Sequence, residues 1–175
     1  MSKGPTTLAA LALAFVVLAA PLSANAQRMG LSNAAVQTPA ANATSYSADP
    51  QQIAEYLRGR GQAAQVGTDN DGDPFISTSS QGARYSIYFY GCENGQNCNS
   101  ISFDSAFRPT RKSKLEDLNT WNLKKRHAYA VQRTDSNVAL RMDVVMLGSV
   151  SENVFTETVR LWDGQLGDFL RHIEF

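Results

Sequence analysis

The chain has 175 residues, with 16 Lys and Arg against 16 Asp and Glu, two His and two Cys. A hydrophobic fraction of 43% excludes wholesale disorder, and the length suits one ordinary domain. Zero formal net charge leaves no global field to draw in a polyanion, so nucleic acid is disfavoured and any such attraction must come from a local patch.

Lys3 provides a short positive region ahead of thirteen unbroken apolar residues, Leu8 to Ala20. A membrane-spanning helix needs about 20 such residues. Here Pro21 ends the run just before Ala24 and Ala26, small residues at the −3 and −1 positions of a signal-peptidase site. Residues 1–26 are expected to be a signal peptide cleaved after Ala26, making the mature chain periplasmic or secreted. An uncleaved anchor is the weaker alternative, because the apolar stretch is too short. No Cys follows the cleavage site, which disfavours lipid attachment.

Residues 27–48 are rich in Ala, Ser, Asn and Thr, carry one charge at Arg28 and show no sustained period, the pattern of a flexible linker. The domain is expected over 49–175. It opens with Asp49 and Pro50, an N-cap acceptor followed by proline at the first helical position, with Ile53, Tyr56 and Leu57 on one side and Gly61 past the end. The turn cluster Asn70 to Pro74 then predicts a hairpin between Gln65–Val66 and Phe75–Ile76. Asp69, Asp71 and Asp73 have the spacing of calcium ligands, but Pro74 stands where an EF-hand loop needs Gly and Ser80 where it needs Glu.

Arg84 to Tyr90 alternates, with Tyr85, Ile87 and Phe89 opposite Ser86, Tyr88 and Tyr90; Ile101 and Phe103 likewise oppose Ser102 and Asp104. Both stretches predict half-buried strands. Between them, Cys92 and Cys98 flank a polar, glycine-containing turn, so in an oxidising compartment they are expected to form a disulfide. A redox pair would more often be C-x-x-C, and a zinc site would need more ligands than His127 and His172 offer so far along the chain.

Ser113 to Glu116 has the S-x-x-E form of a capping box and predicts a helix to about Lys125 carrying Leu115, Leu118, Trp121 and Asn122. Tyr129–Gln132 and Val138–Leu147 predict a second hairpin, with Leu140, Met142, Val144 and Met146 on one face. A terminal helix is expected from about Ser151, through Phe155, Val159, Trp162, Leu166, Phe169, Leu170 and Ile173, with Gly164 and Gly167 as places where it could divide in two. The order α-β-β-β-β-α-β-β-α has no β-α-β alternation. It argues for an α+β fold, an antiparallel sheet of about six strands with helices packed on one face.

This order of features, from Asp71-Gly72-Asp73-Pro74 through Tyr88 to Cys92, Cys98, Ile101, Phe103, the pair Trp121-Asn122 and the late Leu161-Trp162, resembles the YbjN family of bacterial sensory-transduction regulators. The resemblance runs from about Asp49 to Ile173. It implies a fold like that of type III secretion chaperones, no catalytic residues, and a regulatory role; an exported member would be set apart from cytoplasmic signalling proteins.

The chain has no G-x-S-x-G, H-E-x-x-H or phosphate-binding glycine loop, and its two His are far apart in sequence, so no catalytic group, metal or cofactor is assigned. The candidate binding residues are Tyr88 and Tyr90, facing away from Ile87 and Phe89, together with Trp121, Asn122, Lys124, Lys125 and Arg126. Core packing is the ordinary use of such a Trp, with the Asn tying down a neighbouring backbone. Arg108, Arg111, Lys112, Lys114, Lys124, Lys125 and Arg126 concentrate cations between 108 and 126, either an anion-facing surface or a solvated helix and its approaches. The leading expectation is a non-enzymatic envelope module that binds protein partners as a regulator, adaptor or chaperone-like factor, with self-association into a homodimer as a candidate. The alternative is a small-molecule, lipid or cell-wall-fragment binder, with a degenerate enzyme among its forms, using a groove near Trp121, Asn122 and His127.

Overall fold

The computed structural model describes residues 44–109, 114–133 and 137–174. The expected signal peptide at 1–26, most of the 27–48 linker and Ser113 of the capping box lie outside the described residues. The described part begins with a short strand, β1 (Ser45–Tyr46), followed by α1 (Pro50–Gly59), β2 (Gln65–Thr68), β3 (Pro74–Ser80), β4 (Ala83–Tyr90) and β5 (Ser100–Phe107). Then come α2 (Leu115–Lys124), β6 (Tyr129–Gln132), β7 (Val138–Val145), a two-residue β8 (Val150–Ser151) and α3 (Glu152–His172). The six longer strands form one antiparallel sheet in the order β2-β3-β4-β5-β7-β6, and β1 pairs with β8. The expected α+β fold is the one observed.

Local chemistry accounts for the element ends. Asp49 caps α1, its carboxylate accepting from Gln52 N at 2.8 Å, with Pro50 at the first helical position. Asp69 Oδ1 accepts from both Asp71 N and Asp73 N at 3.0 Å, so the acidic cluster builds the β2–β3 turn. The start of α2 is one residue later than Ser113 would place it: Lys114 is the N-cap, and Asp117 accepts from its backbone N–H at 3.1 Å. Gln81 and Gly82, both at positive φ, make the tight β3–β4 turn.

α3 runs unbroken for 21 residues through both glycines. Its stripe of Phe155, Val159, Trp162, Leu166 and Phe169 is fully buried. That burial outweighs the roughly 1 kcal/mol that each helical glycine costs. Gly167 also has a packing use, since a Cβ there would lie 3.3 Å from Gln81 Oε1 in the β3–β4 turn.

The core sits between the helices and one face of the sheet. Trp162 packs on Tyr85 of β4 and Phe103 of β5, and Phe169 packs on Phe107 of β5 and Trp121 of α2. Tyr56 joins α1 to α3 through Phe155 and by donating its hydroxyl to Thr156 Oγ1 at 3.0 Å. The fold also starts before Asp49. Tyr46 stacks on Phe155 with centroids 4.7 Å apart, and Ala48 is buried, so the last residues of the predicted linker are part of the packed domain. A two-residue strand is too short for any hydrophobic period to reveal.

Candidate functional site

Strand pairing lays the outward residues of the sheet into rows on the face away from the helices. One row crosses all six strands: Gln65, Ser77, Ser86, Asp104, Arg141 and Tyr129. The next contains Gly67, Phe75, Tyr88, Ser102 and Asp143, and a third contains Tyr90, Ser100 and Val145. Among the described residues no helix or strand covers these rows. Tyr90 is 49% exposed and Val145 69%, on either side of Ser100 in the third row, and Tyr129 in the first row is 38% exposed.

At the middle of the face is an ionic clamp. Asp104, whose side chain is only 5% exposed, receives Arg133 Nη2 on both carboxylate oxygens (2.6 and 2.5 Å) and Arg141 Nε at 2.5 Å. The two guanidinium groups are each more than one-third exposed, so they cover the carboxylate and meet solvent themselves. The Asp104 hydrogen bond holds Arg141 above its already high pKa. Beside it Tyr129 donates to Asp143 Oδ2 at 2.6 Å, and this bond raises the phenol's pKa. Tyr90 is raised too, first by burial, with Asp104 and Asp143 adding to the effect against Arg141. The face therefore presents neutral phenols, able to donate, around fixed charges. On its flank Phe75 stacks with Tyr88 at 6.0 Å, and its ring occupies the space a Cβ on Gly67 would need, only 2.9 Å from Phe75 Cε1.

Tyr88 and Tyr90 thus lie on this open face, as their alternation predicts. Trp121 and Asn122 do not join them. Trp121 is 2% exposed and lies on the helix side, where its indole N–H donates to Ala128 O at 3.2 Å. Asn122 accepts from Ala130 N at 2.7 Å and donates to Ala130 O at 3.0 Å, clamping the start of β6 to α2. Both residues are scaffold, the structural one of their two readings. Trp121 and His127 line separate shallow pockets of 330 and 290 Å³, and Asn122 lines neither.

The cations divide as well. Lys125 pairs with Asp168 at 2.5 Å and sits 5.3 Å from the Trp121 ring centroid, whereas Lys124 and Arg126 are exposed. Arg111 and Lys112 lie outside the described residues. Cys92 and Cys98 form the expected disulfide, with Cα atoms 3.9 Å apart, closing the loop between β4 and β5. Next to it, Ala48 bridges to Cys98, joining this loop to the segment that leads into α1. A cleft of about 550 Å³ lies between the disulfide loop, the start of α1 and the β2–β3 hairpin, lined by Asp49 and by uncharged side chains such as Gln51, Thr68, Gln96 and Asn97.

Alternation within single strands did not reveal Asp104, Arg133, Arg141, Tyr129 and Asp143 as a cluster. Asp104 and Arg141 are the charged residues at outward positions opposite the apolar faces of their strands, with Asp143 beside Arg141, and that was the available signal. Their meeting depends on β7 lying next to β5, a pairing across 30 or more residues that periodicity does not encode.

Among solved structures, the chain is similar to the crystal structure of "YbjN, a putative transcription regulator from E. coli", at 14% identity over 67% of this chain and 84% of that one, with a TM-score of 0.46. A comparison with curated proteins finds no match. The YbjN family model, described as "Putative bacterial sensory transduction regulator", matches residues 49–175, and the chain therefore belongs to the YbjN family.

Proposed function

We propose that this protein is an exported, non-enzymatic regulator that holds a protein partner, as an adaptor or chaperone-like factor, on the open face of its sheet around Tyr88 and Tyr90. The observation that carries this reading is the face itself: three tyrosines and the Asp104–Arg133–Arg141 clamp stand on a rigid six-stranded platform. Aromatic side chains and arginine are the residue types that dominate protein interfaces; the rings offer large contact area with few rotamers to freeze, and here the arginines are already held by Asp104. Membership of a family of regulators supports the class of function. Export is supported by the apolar run ending at Ala24–Ala26 and by the Cys92–Cys98 disulfide, a bond that persists in oxidising compartments.

A non-catalytic role is supported by the disposition of the two His. His127 is exposed in the α2–β6 turn, and His172 Nε2 donates to Asp117 O at 2.9 Å. Among the described residues, no group of three or more His, Cys, Asp or Glu could hold a metal ion.

Site-specific photo-crosslinking in intact cells tests the surface. A crosslinker at position 90 should give a discrete adduct with one protein, reduced by a second-site Tyr88→Ala, while a crosslinker at Glu157 on the outer side of α3 gives none. Equal labelling from both positions, or none from position 90, would sink the assignment. An adduct of twice the chain mass would make the partner a second copy. Mass spectrometry of the same sample should find Gln27 as the mature N-terminus; an intact Met1 would remove the exported part of the reading.

A further inference from the structure

The tip of α2 carries a surface that the sheet-face reading does not use. Leu118 and Trp121 point into the core, so the helical period turns Leu123 outward, and it is 87% exposed. Lys124 is the last helical residue, and Lys125 to His127 leave the helix; Lys124, Arg126 and His127 are all exposed, and His127 adopts a positive φ of 74°. Beside this tip lies the 330 Å³ pocket with the Trp121 ring in its wall and Lys124, Lys125, Asp168, Arg171 and His172 around it, four basic side chains to one carboxylate. Asp168 pairs with both Lys125 and Arg171, and Arg171 is itself 74% exposed. Lys124 and Arg126 make no ion pair among the described residues. Glu116 and Asp117 lie at the far end of the helix.

We propose that this tip is a docking point for an anionic phospholipid bilayer. Leu123 enters the boundary between headgroups and acyl chains, Lys124 and Arg126 lie along the phosphate layer, and the pocket beside them receives a headgroup phosphate. Charge complementarity selects an anionic surface. The exposed side chains favour a bilayer over an acidic protein: a leucine 87% exposed at the helix end, next to exposed cations, suits a fluid interface into which it can insert while those cations snorkel.

Sedimentation of the disulfide-intact mature chain with vesicles of phosphatidylglycerol and phosphatidylethanolamine, against vesicles of phosphatidylcholine, tests it. The protein should pellet with the anionic vesicles only, and less so as salt rises. Lys124→Gln with Arg126→Gln should weaken binding about twenty-five-fold, at about fivefold for each cation at the surface. Leu123→Ser should weaken it several-fold with an unchanged melting temperature, because Leu123 touches no core. Failure to pellet with anionic vesicles, equal pelleting with phosphatidylcholine, or binding insensitive to Leu123→Ser would overturn the proposal. Retention on immobilised polyglutamate without vesicle binding would assign the tip to an acidic protein instead, and also overturn it. The position-90 crosslink is read independently, so either surface can fail alone.

Discussion

On the helix side of the sheet, Tyr85, Phe103 and Phe107 meet Trp162 and Phe169; on the open side, the alternate residues of β4, β5 and β7 include Tyr88, Ser102, Asp104 and Arg141. The first set is fixed by shape, with dispersion and water exclusion doing the work over many small contacts. The second is anchored at Asp104 by a few directional, charge-assisted hydrogen bonds from arginines whose far sides remain in water. Residues of the first kind are expected to govern stability. Residues of the second kind hold their positions with area left over, and that spare area is what recognition needs. Trp121 and Asn122 fall with the first set despite being sequence candidates for the second.

The sharpest way to break this division is Trp121→Ala. If Trp121 is scaffold, its removal empties a buried site, orphans Ala128 O and loosens the contact with Phe169, costing about 3–5 kcal/mol. Urea unfolding would show it as a lower midpoint. A cost below about 1 kcal/mol would mean that the indole is not packed as described. Trp121→Ala would therefore lose binding through unfolding, and it cannot serve as a control for a surface contact.

Asp104→Ala probes the seam between the two sets. It leaves two guanidinium groups facing each other without their carboxylate, and the expected cost is about 2–3 kcal/mol, short of a fully buried pair because both arginines reach solvent. The triple replacement of Asp104, Arg133 and Arg141 by Ala, Met and Met should recover most of that loss if the pairs are mutually compensating. Equal destabilisation in the single and triple variants would show that the clamp is worth more than its parts.

The fold was largely legible in the sequence because each long element carries its own period: the two-residue alternation of β4 and β7, and the three-and-four spacing of α3. The α1 cap was legible for the same local reason, since Asp49 and Pro50 act within one turn. What escaped were features set by distant partners. β1 exists because Ser45 and Tyr46 find Ser151 and Val150 about a hundred residues away. The break anticipated at Gly164 and Gly167 did not occur, because tertiary burial of Trp162 and Leu166 overrides local propensity. In the candidate site, the outward direction of Tyr88 and Tyr90 was readable strand by strand. The ionic clamp beside them was not, since Asp104 and Arg141 become neighbours only once β7 has crossed over to pair with β5.

A smaller effect comes from pH. Asp168 lies at the edge of the helix side, where the Lys125 hydrogen bond, with the charges of Lys125 and Arg171, lowers its carboxyl pKa below the ordinary value. A depressed carboxyl contributes stability that is fully present above its unfolded pKa and is lost as pH falls through the folded one. Asp168→Asn should therefore lower stability by under about 1 kcal/mol at neutral pH, since the pair is about one-third exposed. The difference from the parent protein should vanish in acid; a gap that persisted there would mean the variant had disturbed packing and not charge.

The smallest expected change in stability is the most informative for the open face. Tyr90→Ala removes a half-exposed ring from a row whose other members, Ser100 and Val145, it does not support, so unfolding should shift by no more than about 0.5 kcal/mol. A larger loss would mean that the ring is covered and packed, which would place Tyr90 with the core residues. If stability holds, crosslinking can be moved to the neighbouring position 145 in the Tyr90→Ala background. Loss of the adduct there would then report loss of recognition alone, because the platform beneath it, from Phe89 through Ile101 to Val144, is untouched.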